Sequence, residues 1–337
     1  MVLCLGIEST AHTFASAVIE YKKNDSAFKI LSDCRQIYKS PQGTGIHPRE
    51  AARHHALVSP EITRKAIESS NVDYKDLDFI AYSKGPGLGP CLRVGAVIAR
   101  SLSSFYSKPL IPVNHALAHI ELGLGLTKAL DAVVLLVSGG HTMTLLFSNS
   151  RWRVIGETLD ITIGQLFDQF GRYIGFSSPC GDKIEQLALN SSSKYIQLPY
   201  SVKGNDVTFS GLLSACKRLR LRNEEKIEDI CYSLQETAFS MVAEVIERSL
   251  SATKKKEFLI VGGVSANKRI TEVLRLACTR YGTKFLTNPS AFSGDNGVQI
   301  AWTGMLEYIA GGYEVPINLS KISQSWRLDT VDVKWRK

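Results

Sequence analysis

The sequence lacks the features of an exported, disulfide-bonded or membrane-spanning protein. Its seven cysteines are scattered without a C-x-x-C pair, which argues against a disulfide framework and against a cysteine-based zinc site. The apolar start of the chain, MVLCLGI, ends at Glu8 and lacks the basic residues of a signal peptide. No apolar run approaches the length of a membrane span. We therefore expect a soluble, cytoplasmic protein with reduced thiols.

Composition is that of an ordinary globular protein with a mild excess of positive charge. Hydrophobic residues make up 44% and charged residues 21% of the 337 residues, enough apolar surface for one large core or two smaller ones. The 40 Lys and Arg against 32 Asp and Glu leave a formal net charge of +8. This excess is compatible with a polyanionic partner such as RNA without demanding one.

The two halves of the chain repeat one order of predicted elements. The first half opens with the strands VLCLGI and FASAVIE, and the second with DAVVLLV and HTMTLLF. Each pair encloses a polar or glycine-rich turn, and alternating strands and helices follow. This order predicts an α/β protein in which two duplicated domains face a cleft. We place the domains at 1–125 and 126–312, and we expect the tail, 313–337, to pack back on the first domain.

Three turns at predicted strand ends could bind the phosphates of a nucleotide. Backbone amides bind anions in such turns, and glycines let a ligand approach the backbone closely. Each turn alone is equally compatible with an ordinary hairpin or loop, and the G-x-G-x-x-G spacing of dinucleotide-binding proteins is absent. Together, their order along the chain matches the arrangement that holds ATP between two actin-like domains. The predicted contacts are Ser9, Thr10, Val137, Ser138, Gly139, Gly140, Gly262, Gly263 and Asn267.

A pair of histidines on a predicted helix indicates a metal site. His115 and His119 are four residues apart, which places both imidazoles on one helix face. A pair of solvated surface histidines is the alternative. Asp295, in a sharp polar loop, is a plausible third ligand or merely a helix N-cap. Two histidines and a carboxylate suit iron, our first expectation, or zinc, with magnesium also considered. Ala116 stands where metalloproteases of the H-E-x-x-H type carry their glutamate, which disfavours peptidase chemistry.

Taken together, these motifs resemble the universal tRNA threonylcarbamoyl-adenosine synthesis family over nearly the whole chain. The most specific segment is KPLIPVNHALAHI, supported by GIEST, GIHPREAARHH, VSGGHT, GETLDITIGQLFDQFGR, VGGVSANKR and SGDNG. GIHPREAARHH and the ending SWRLDTVDVKW resemble the archaeal and eukaryotic branch, which supplies the catalytic subunit of the KEOPS complex. The resemblance implies that His115, His119 and Asp295 bind the metal. It implies nucleotide contacts from Ser138, Gly139, Gly140, Asp168, Gly181, Glu185 and Asn267.

Three positions depart from the family pattern. Leu136 stands where members of this branch often carry a metal-binding tyrosine, so Ser138, a nucleotide phosphate or water would have to complete the metal's coordination. We still include Leu136 among the expected nucleotide contacts. Cys180 replaces a usual glycine, and Lys268 replaces a common asparagine.

The reaction implied by the resemblance joins threonylcarbamoyl-AMP to the exocyclic amine of an adenosine beside the anticodon and releases AMP. ATP or threonylcarbamoyl-AMP is thus the expected nucleotide. Candidate acid–base residues are Glu8, which could instead orient a hydrated cation, Lys84 on a predicted loop, and one of the adjacent His54 and His55.

Partners and rival functions complete the expectations. The tRNA surface could include Lys217, Arg218, Arg220 and Arg222, whereas the run 254–256 more simply forms a solvated face. The resemblance implies a kinase-like ATPase, a small dimerising subunit and an activator. A separate synthase would supply the adenylate. The alternatives are a small-molecule kinase of the same fold and an Hsp70-like switch driven by ATP, neither of which needs the histidine pair.

Overall fold

The computed structural model describes residues 1–22, 28–311 and 315–336. Its first half forms a five-stranded sheet with two flanking helices, and a third helix then leads into the second half. The elements are β1 (Val2–Glu8), β2 (Thr13–Tyr21), β3 (Lys29–Ile37), α1 (Pro48–Ser70), β4 (Phe79–Gly85), α2 (Gly89–Tyr106), β5 (Leu110–Asn114) and α3 (His115–Thr127).

The second half forms another five-stranded sheet, a short two-stranded ribbon and six helices among the described residues. The elements are β6 (Ala132–Val137), β7 (Thr142–Ser148), β8 (Arg151–Glu157), α4 (Ile163–Tyr173), α5 (Gly181–Leu189), β9 (Val202–Lys203), β10 (Asp206–Val207), α6 (Ser210–Arg222), α7 (Ile227–Thr253), β11 (Glu257–Val261), α8 (Lys268–Arg280), β12 (Lys284–Thr287) and α9 (Gly297–Ile309). None of these helices, nor those of the described first half, combines the length and apolar character needed to cross a membrane.

The two large sheets have the same topology, as the repeated order of elements predicts. The first has the strand order β3-β2-β1-β4-β5 and the second β8-β7-β6-β11-β12. In each, the first three strands along the chain pair antiparallel and the last two pair parallel. The central strand β6 is apolar and buried throughout, and β1 is buried from Leu3 onward and apolar until Glu8, as expected for strands covered on both faces. The predicted two-lobed α/β fold is therefore confirmed.

Helices α3 and α9 lie between the two sheets and pack against each other. Ala116 and Ile120 of α3 join a core with the second sheet, while Val298 and Ala301 of α9 join a core with the first. The domain boundaries at residues 125, 126 and 312 stay a prediction. The packing adds that α9, from the second half of the chain, belongs by its contacts to the first lobe.

The tail contacts the first lobe, where we expect it to pack, and also runs across the second lobe. Val315 donates its backbone N–H to the Leu110 carbonyl in the first lobe. Farther on, Leu328 and Val333 are buried against the second sheet, and the Val333 N–H bonds the Ser150 carbonyl. Residues 313, 314 and 337 lie outside the described part of the chain. The tail thus fastens one lobe to the other.

Candidate metal and nucleotide site

The first turn of α3 directs two imidazoles into the protein. Asn114 caps this helix, since its side chain accepts the Leu117 N–H at 3.0 Å. His115 and His119 follow on one face, with ring centroids 4.8 Å apart and ring planes at 84°. Their exposed fractions are only 7% and 1%. The alternative of a solvated histidine pair is therefore wrong.

Asp295 completes a set of three potential ligands at the other interlobe helix. Its Oδ1 lies 3.2 Å from His119 Nε2 and 3.5 Å from His115 Nε2. The three ligand atoms all lie within 4.8 Å of one another. Asp295 is not the N-cap of α9, because that role belongs to Asn296, whose side chain accepts the Gln299 N–H at 2.9 Å. Ligand bonds of about 2.0–2.2 Å to one divalent cation would fit this spacing.

Glu8 lies behind His115 and orients its ring. The Glu8 Oε2 is 2.9 Å from His115 Nδ1, while Thr10 Oγ1 and Gln299 Nε2 approach the same nitrogen at 3.3 and 3.4 Å. With Nδ1 occupied on this side, Nε2 faces Asp295. A carboxylate behind a ligating imidazole fixes its tautomer and raises its basicity. Glu8 is completely buried, so its contacts are those of a supporting residue.

The charges of His115, His119 and Asp295, here called the metal cluster, depend on one another and on Glu8. Burial favours a neutral His115, but the carboxylates of Glu8 and Asp295 outweigh burial and raise its pKa to about 9. Burial lowers the pKa of His119. Burial alone would raise the pKa of Asp295, yet the charge of His115 and the hydrogen bond from His119 hold it below its usual value. Strongly shifted pKa values that depend on one another within a buried cluster are typical of a functional site.

The glycine turn between β6 and β7 lies beside this cluster. Ser138 Oγ accepts the N–H groups of Gly140 and His141 at 3.2 and 3.0 Å, which closes the turn. A Cβ on Gly139 or Gly140 would meet no atom within 4 Å, so a ligand can approach both. Burial, and then the neighbouring imidazoles of the metal cluster, lower the pKa of His141 to about 3. His141 is not among the residues predicted from the sequence; its place directly after the two glycines was the available signal.

Most of the other predicted nucleotide contacts belong to the second lobe, where Gly262 packs against the end of β6. Gly262 ends β11 with φ 97°, and a Cβ there would lie 2.3 Å from the Val137 carbonyl oxygen, so glycine is required. Asn267 caps α8 by accepting the Arg269 N–H at 2.9 Å. Glu185 and Asp168 lie within helices and accept N–H groups at the starts of other helices, Glu185 Oε1 from Lys268 at 2.8 Å and Asp168 Oδ1 from Cys180 at 2.6 Å. Gly181 begins α5, and Gly263 follows Gly262.

Some predicted site residues do not face this site with a polar group. Ser9 is completely buried, and a Cβ on Gly95 of α2 would lie 2.1 Å from its hydroxyl oxygen, so Ser9 packs against that helix. Leu136 and Val137 are buried in apolar clusters on β6. They support the turn without contributing side-chain ligands.

Among the described residues, Lys84 and His54, two of the predicted acid–base residues, make no hydrogen bond or ion pair with His115, His119 or Asp295. Lys84 belongs to strand β4, not to a loop, and its Nζ lies 4.9 Å from the centre of the Trp326 ring. His54 lies beside Tyr38, with ring centroids 5.7 Å apart. The adjacent His55 is buried and bonds the Ala11 carbonyl through Nε2 at 3.0 Å. Among the three residues predicted for catalysis, Glu8 is the one that contacts the metal cluster.

Comparison with known proteins decides the family. A family model described as tRNA N6-adenosine threonylcarbamoyltransferase matches residues 29–302. The chain belongs to this family. The protein of that name from Staphylothermus marinus is 45% identical over 98% of this chain and 99% of its own length. A probable bifunctional tRNA threonylcarbamoyladenosine biosynthesis protein from Methanocaldococcus jannaschii is also 45% identical, and the match spans 61% of that longer protein.

The two-lobed fold recurs beyond the threonylcarbamoyltransferase family. HypF from T. kodakarensis superposes with a TM-score of 0.59 at 15% sequence identity. The superposition covers 90% of this chain and 47% of that protein. At this identity the likeness concerns the fold alone, and it agrees with the actin-like architecture expected from the sequence.

Proposed function

We propose that this protein transfers the threonylcarbamoyl group from threonylcarbamoyl-AMP to an adenosine of tRNA. The acceptor is the exocyclic amine of the adenosine 3′ of the anticodon, in tRNAs that read codons beginning with A, and AMP is released. The observation that carries this proposal is the convergence of His115, His119 and Asp295 between the lobes, beside the open glycine turn 138–140. Close relatives named for this activity supply the reaction class.

The chemistry requires positioning more than an aggressive nucleophile. The lone pair of the adenine amine is delocalised into the ring, so the amine attacks the carbamoyl carbon only when it is held close to one face of the carbonyl group. One C–N bond forms, one C–O bond breaks, and the amine loses a proton. The Gly139 N–H would stabilise negative charge that develops on the carbamoyl oxygen or phosphate, whereas the Gly140 N–H already donates to Ser138 Oγ.

A divalent cation would complete this site. His115, His119 and Asp295 would hold it, with iron expected first and zinc or magnesium as alternatives. When bound, such an ion supplies Lewis-acid polarisation and anchors phosphate oxygens. Glu8, Thr10 and Gln299 contact His115 Nδ1 and keep that imidazole oriented.

We further propose that the enzyme works in the cytoplasm with other proteins. A separate synthase would make threonylcarbamoyl-AMP, and KEOPS-type subunits would assist: a kinase-like ATPase, a small dimerising protein and an activator. The relatives do not favour the rival small-molecule kinase or the Hsp70-like switch. Neither rival needs the two histidines and the aspartate that meet between the lobes.

The direct test supplies the protein and its proposed partner subunits with ATP, bicarbonate, threonine, an adenylate-forming synthase and unmodified tRNA. The tRNA is then digested and its nucleosides are measured by mass spectrometry. We expect modified adenosine with the unaltered protein and none with a His115→Ala, His119→Ala variant. Bound metal, measured by elemental analysis, should be lost in parallel.

A matched control keeps this test specific. His47 precedes α1 on the surface and its side chain makes no capping hydrogen bond. A His47→Ala variant should therefore retain both metal and activity. Thermal unfolding of all variants establishes that they are folded. Full activity in the folded double variant would contradict the role of the histidine pair, and no modification by the unaltered protein with its partners would contradict the proposed function.

A further inference from the structure

We infer that a groove on the outer edge of the first lobe binds an unpaired nucleotide of the tRNA anticodon loop. This edge groove has a volume of about 810 Å³ and lies between the end of β3 and the start of α1. The inference rests on the proposed function, because it takes tRNA to be the substrate. The side chains used in the argument are Arg35, Tyr38, Lys39, Arg53, His54 and Leu57.

The charge of the edge groove suits a phosphate backbone. Three cations, Arg35, Lys39 and Arg53, line it against one carboxylate, Glu50. Neither Lys39 nor Arg53 forms an ion pair with a carboxylate in the described parts of the chain, and both are exposed. Arg35 has only a distant one, with 3.9 Å between its Nη2 and the nearest carboxylate oxygen. Unpaired cations in a concave surface concentrate polyanions and bind phosphates with release of counterions.

Flat and apolar groups alternate with these cations. The rings of Tyr38 and His54 are 5.7 Å apart and tilted by 58°, too far from parallel to satisfy each other by stacking. Ile37 and Leu57 line the same groove and are 46% and 72% exposed. Aromatic and apolar surfaces between cations are how proteins hold unpaired nucleotides, because every base offers a flat face.

One wall of the edge groove is hydrogen-bonded to the loop that carries Asp295. The Arg35 guanidinium donates to the carbonyl oxygens of Ala291 and Asp295 at 2.9 and 3.4 Å. The Tyr38 N–H bonds the His12 carbonyl at 2.7 Å, in the turn that follows Glu8. One wall of the groove is thus tied to the loop that carries a metal ligand. A nucleotide held there would place its neighbour in the loop towards the cleft.

Strand β3 is also an edge strand, so an extended segment of a partner protein is the competing occupant. Such a segment would bind through backbone hydrogen bonds, which do not require three cations. The excess of positive charge and the RNA substrate of the proposed reaction favour a nucleotide. The test below separates the two, because binding through backbone pairing has little dependence on salt.

The test measures binding of an unmodified anticodon stem-loop, labelled with a fluorophore, by anisotropy over a range of salt concentrations. The slope of log affinity against log salt reports the number of phosphates contacted, at about 0.7 per phosphate for unpaired RNA. We expect a Lys39→Ala, Arg53→Ala variant to bind on the order of tenfold more weakly at low salt. Its slope should be smaller by roughly 1.4, which corresponds to two lost phosphate contacts.

Stacking is tested separately. A Tyr38→Ala variant should lose on the order of tenfold in affinity with an unchanged salt slope, while Tyr38→Phe, which keeps the ring, should bind normally. The matched control is Lys29→Glu, on the exposed start of the same strand and roughly 20 Å from Arg35 at 3.3 Å per residue. It should leave affinity and slope unchanged.

The outcomes separate this inference from the proposed function. An unchanged slope in the Lys39→Ala, Arg53→Ala variant would overturn the nucleotide groove, as would an equal effect of Lys29→Glu. Absence of salt-dependent binding by the unaltered protein would overturn it too. If the unaltered protein still modifies tRNA in any of these cases, only the groove assignment fails. If these variants bind as expected but the unaltered protein with its partners transfers nothing, the proposed reaction fails while the RNA site stands.

Discussion

Replacing Gly6 by alanine tests whether the close packing of α9 on β1 sets the geometry of the metal cluster. A Cβ at Gly6 would lie 2.4 Å from the Ala301 nitrogen and 2.5 Å from the Gly297 carbonyl oxygen. Both are backbone atoms of α9, so no side-chain rotation can relieve the contact. The helix would have to move away from the sheet.

The size of that movement follows from the distances. Ordinary contact for a Cβ begins at 3.4 Å, so the helix must shift by about 1 Å, the difference from 2.4 Å. Asp295 precedes α9 by two residues and would move with it, while His115 and His119 stay on α3. Overpacking of this kind costs about 1–3 kcal/mol of unfolding free energy. Disturbed ligand placement should weaken metal binding by on the order of 10- to 100-fold.

Two measurements check the Gly6→Ala prediction. Denaturant unfolding of the metal-free protein gives the loss of stability, and competition with a chelating dye gives the metal affinity. The matched control is Gly294→Ala, directly beside Asp295, where a Cβ would meet no atom within 4 Å. That variant should keep both quantities. If Gly6→Ala matches the unaltered protein in stability and affinity, the packing of α9 does not set the site.

Three further predictions concern pH, metal and a helix cap. Burial lowers the pKa of His55 from 6.5 to about 4, so between these pH values the unfolded chain binds more protons than the folded protein. The free energy of unfolding therefore falls as the pH drops from 6.5 to 4. The His55→Gln variant should lose up to about 3 kcal/mol less over this range, as measured by denaturant unfolding at each pH. A chelator should lower the melting temperature of the unaltered protein but not that of His119→Ala, as calorimetry would show. Asn267→Ala removes the cap of α8 and the bond to Gln235, and should cost about 1 kcal/mol or more in unfolding free energy. An unchanged pH dependence in His55→Gln, an unchanged melting temperature of the unaltered protein with chelator, or an unchanged stability of Asn267→Ala would contradict the corresponding prediction.

Much of the fold was predictable because its signals are local. Continuous apolar runs such as 132–137 predict buried strands, and polar or glycine-rich turns punctuate them in the same order in both halves. The equal topology of the two sheets confirms that reading. The helical spacing of His115 and His119 is local as well, so two of the three candidate metal ligands could be predicted from the sequence.

The sequence-based expectations that were wrong or left open share one cause, which is that a side chain's surroundings depend on distant segments of the chain. Leu136 stays a prediction as a nucleotide contact, but its position in a motif could not show that its side chain lies in the apolar core. Lys84 looked like a loop residue beside several glycines, but it continues β4 beside β5. The role of Asp295 was open between cap and ligand until Asn296 was seen to cap α9.

The sequence by itself determined the two-lobed α/β fold, the histidine pair and the glycine turns, because strand and helix periods and glycine's freedom act over a few residues. Tertiary structure alone decided that α3 and α9 lie side by side between the sheets. That packing brings Asp295 within 3.2 Å of a histidine 176 residues away. No local pattern encodes such a distance, since it depends on how α9, from the second half of the chain, packs against the sheet of the first half.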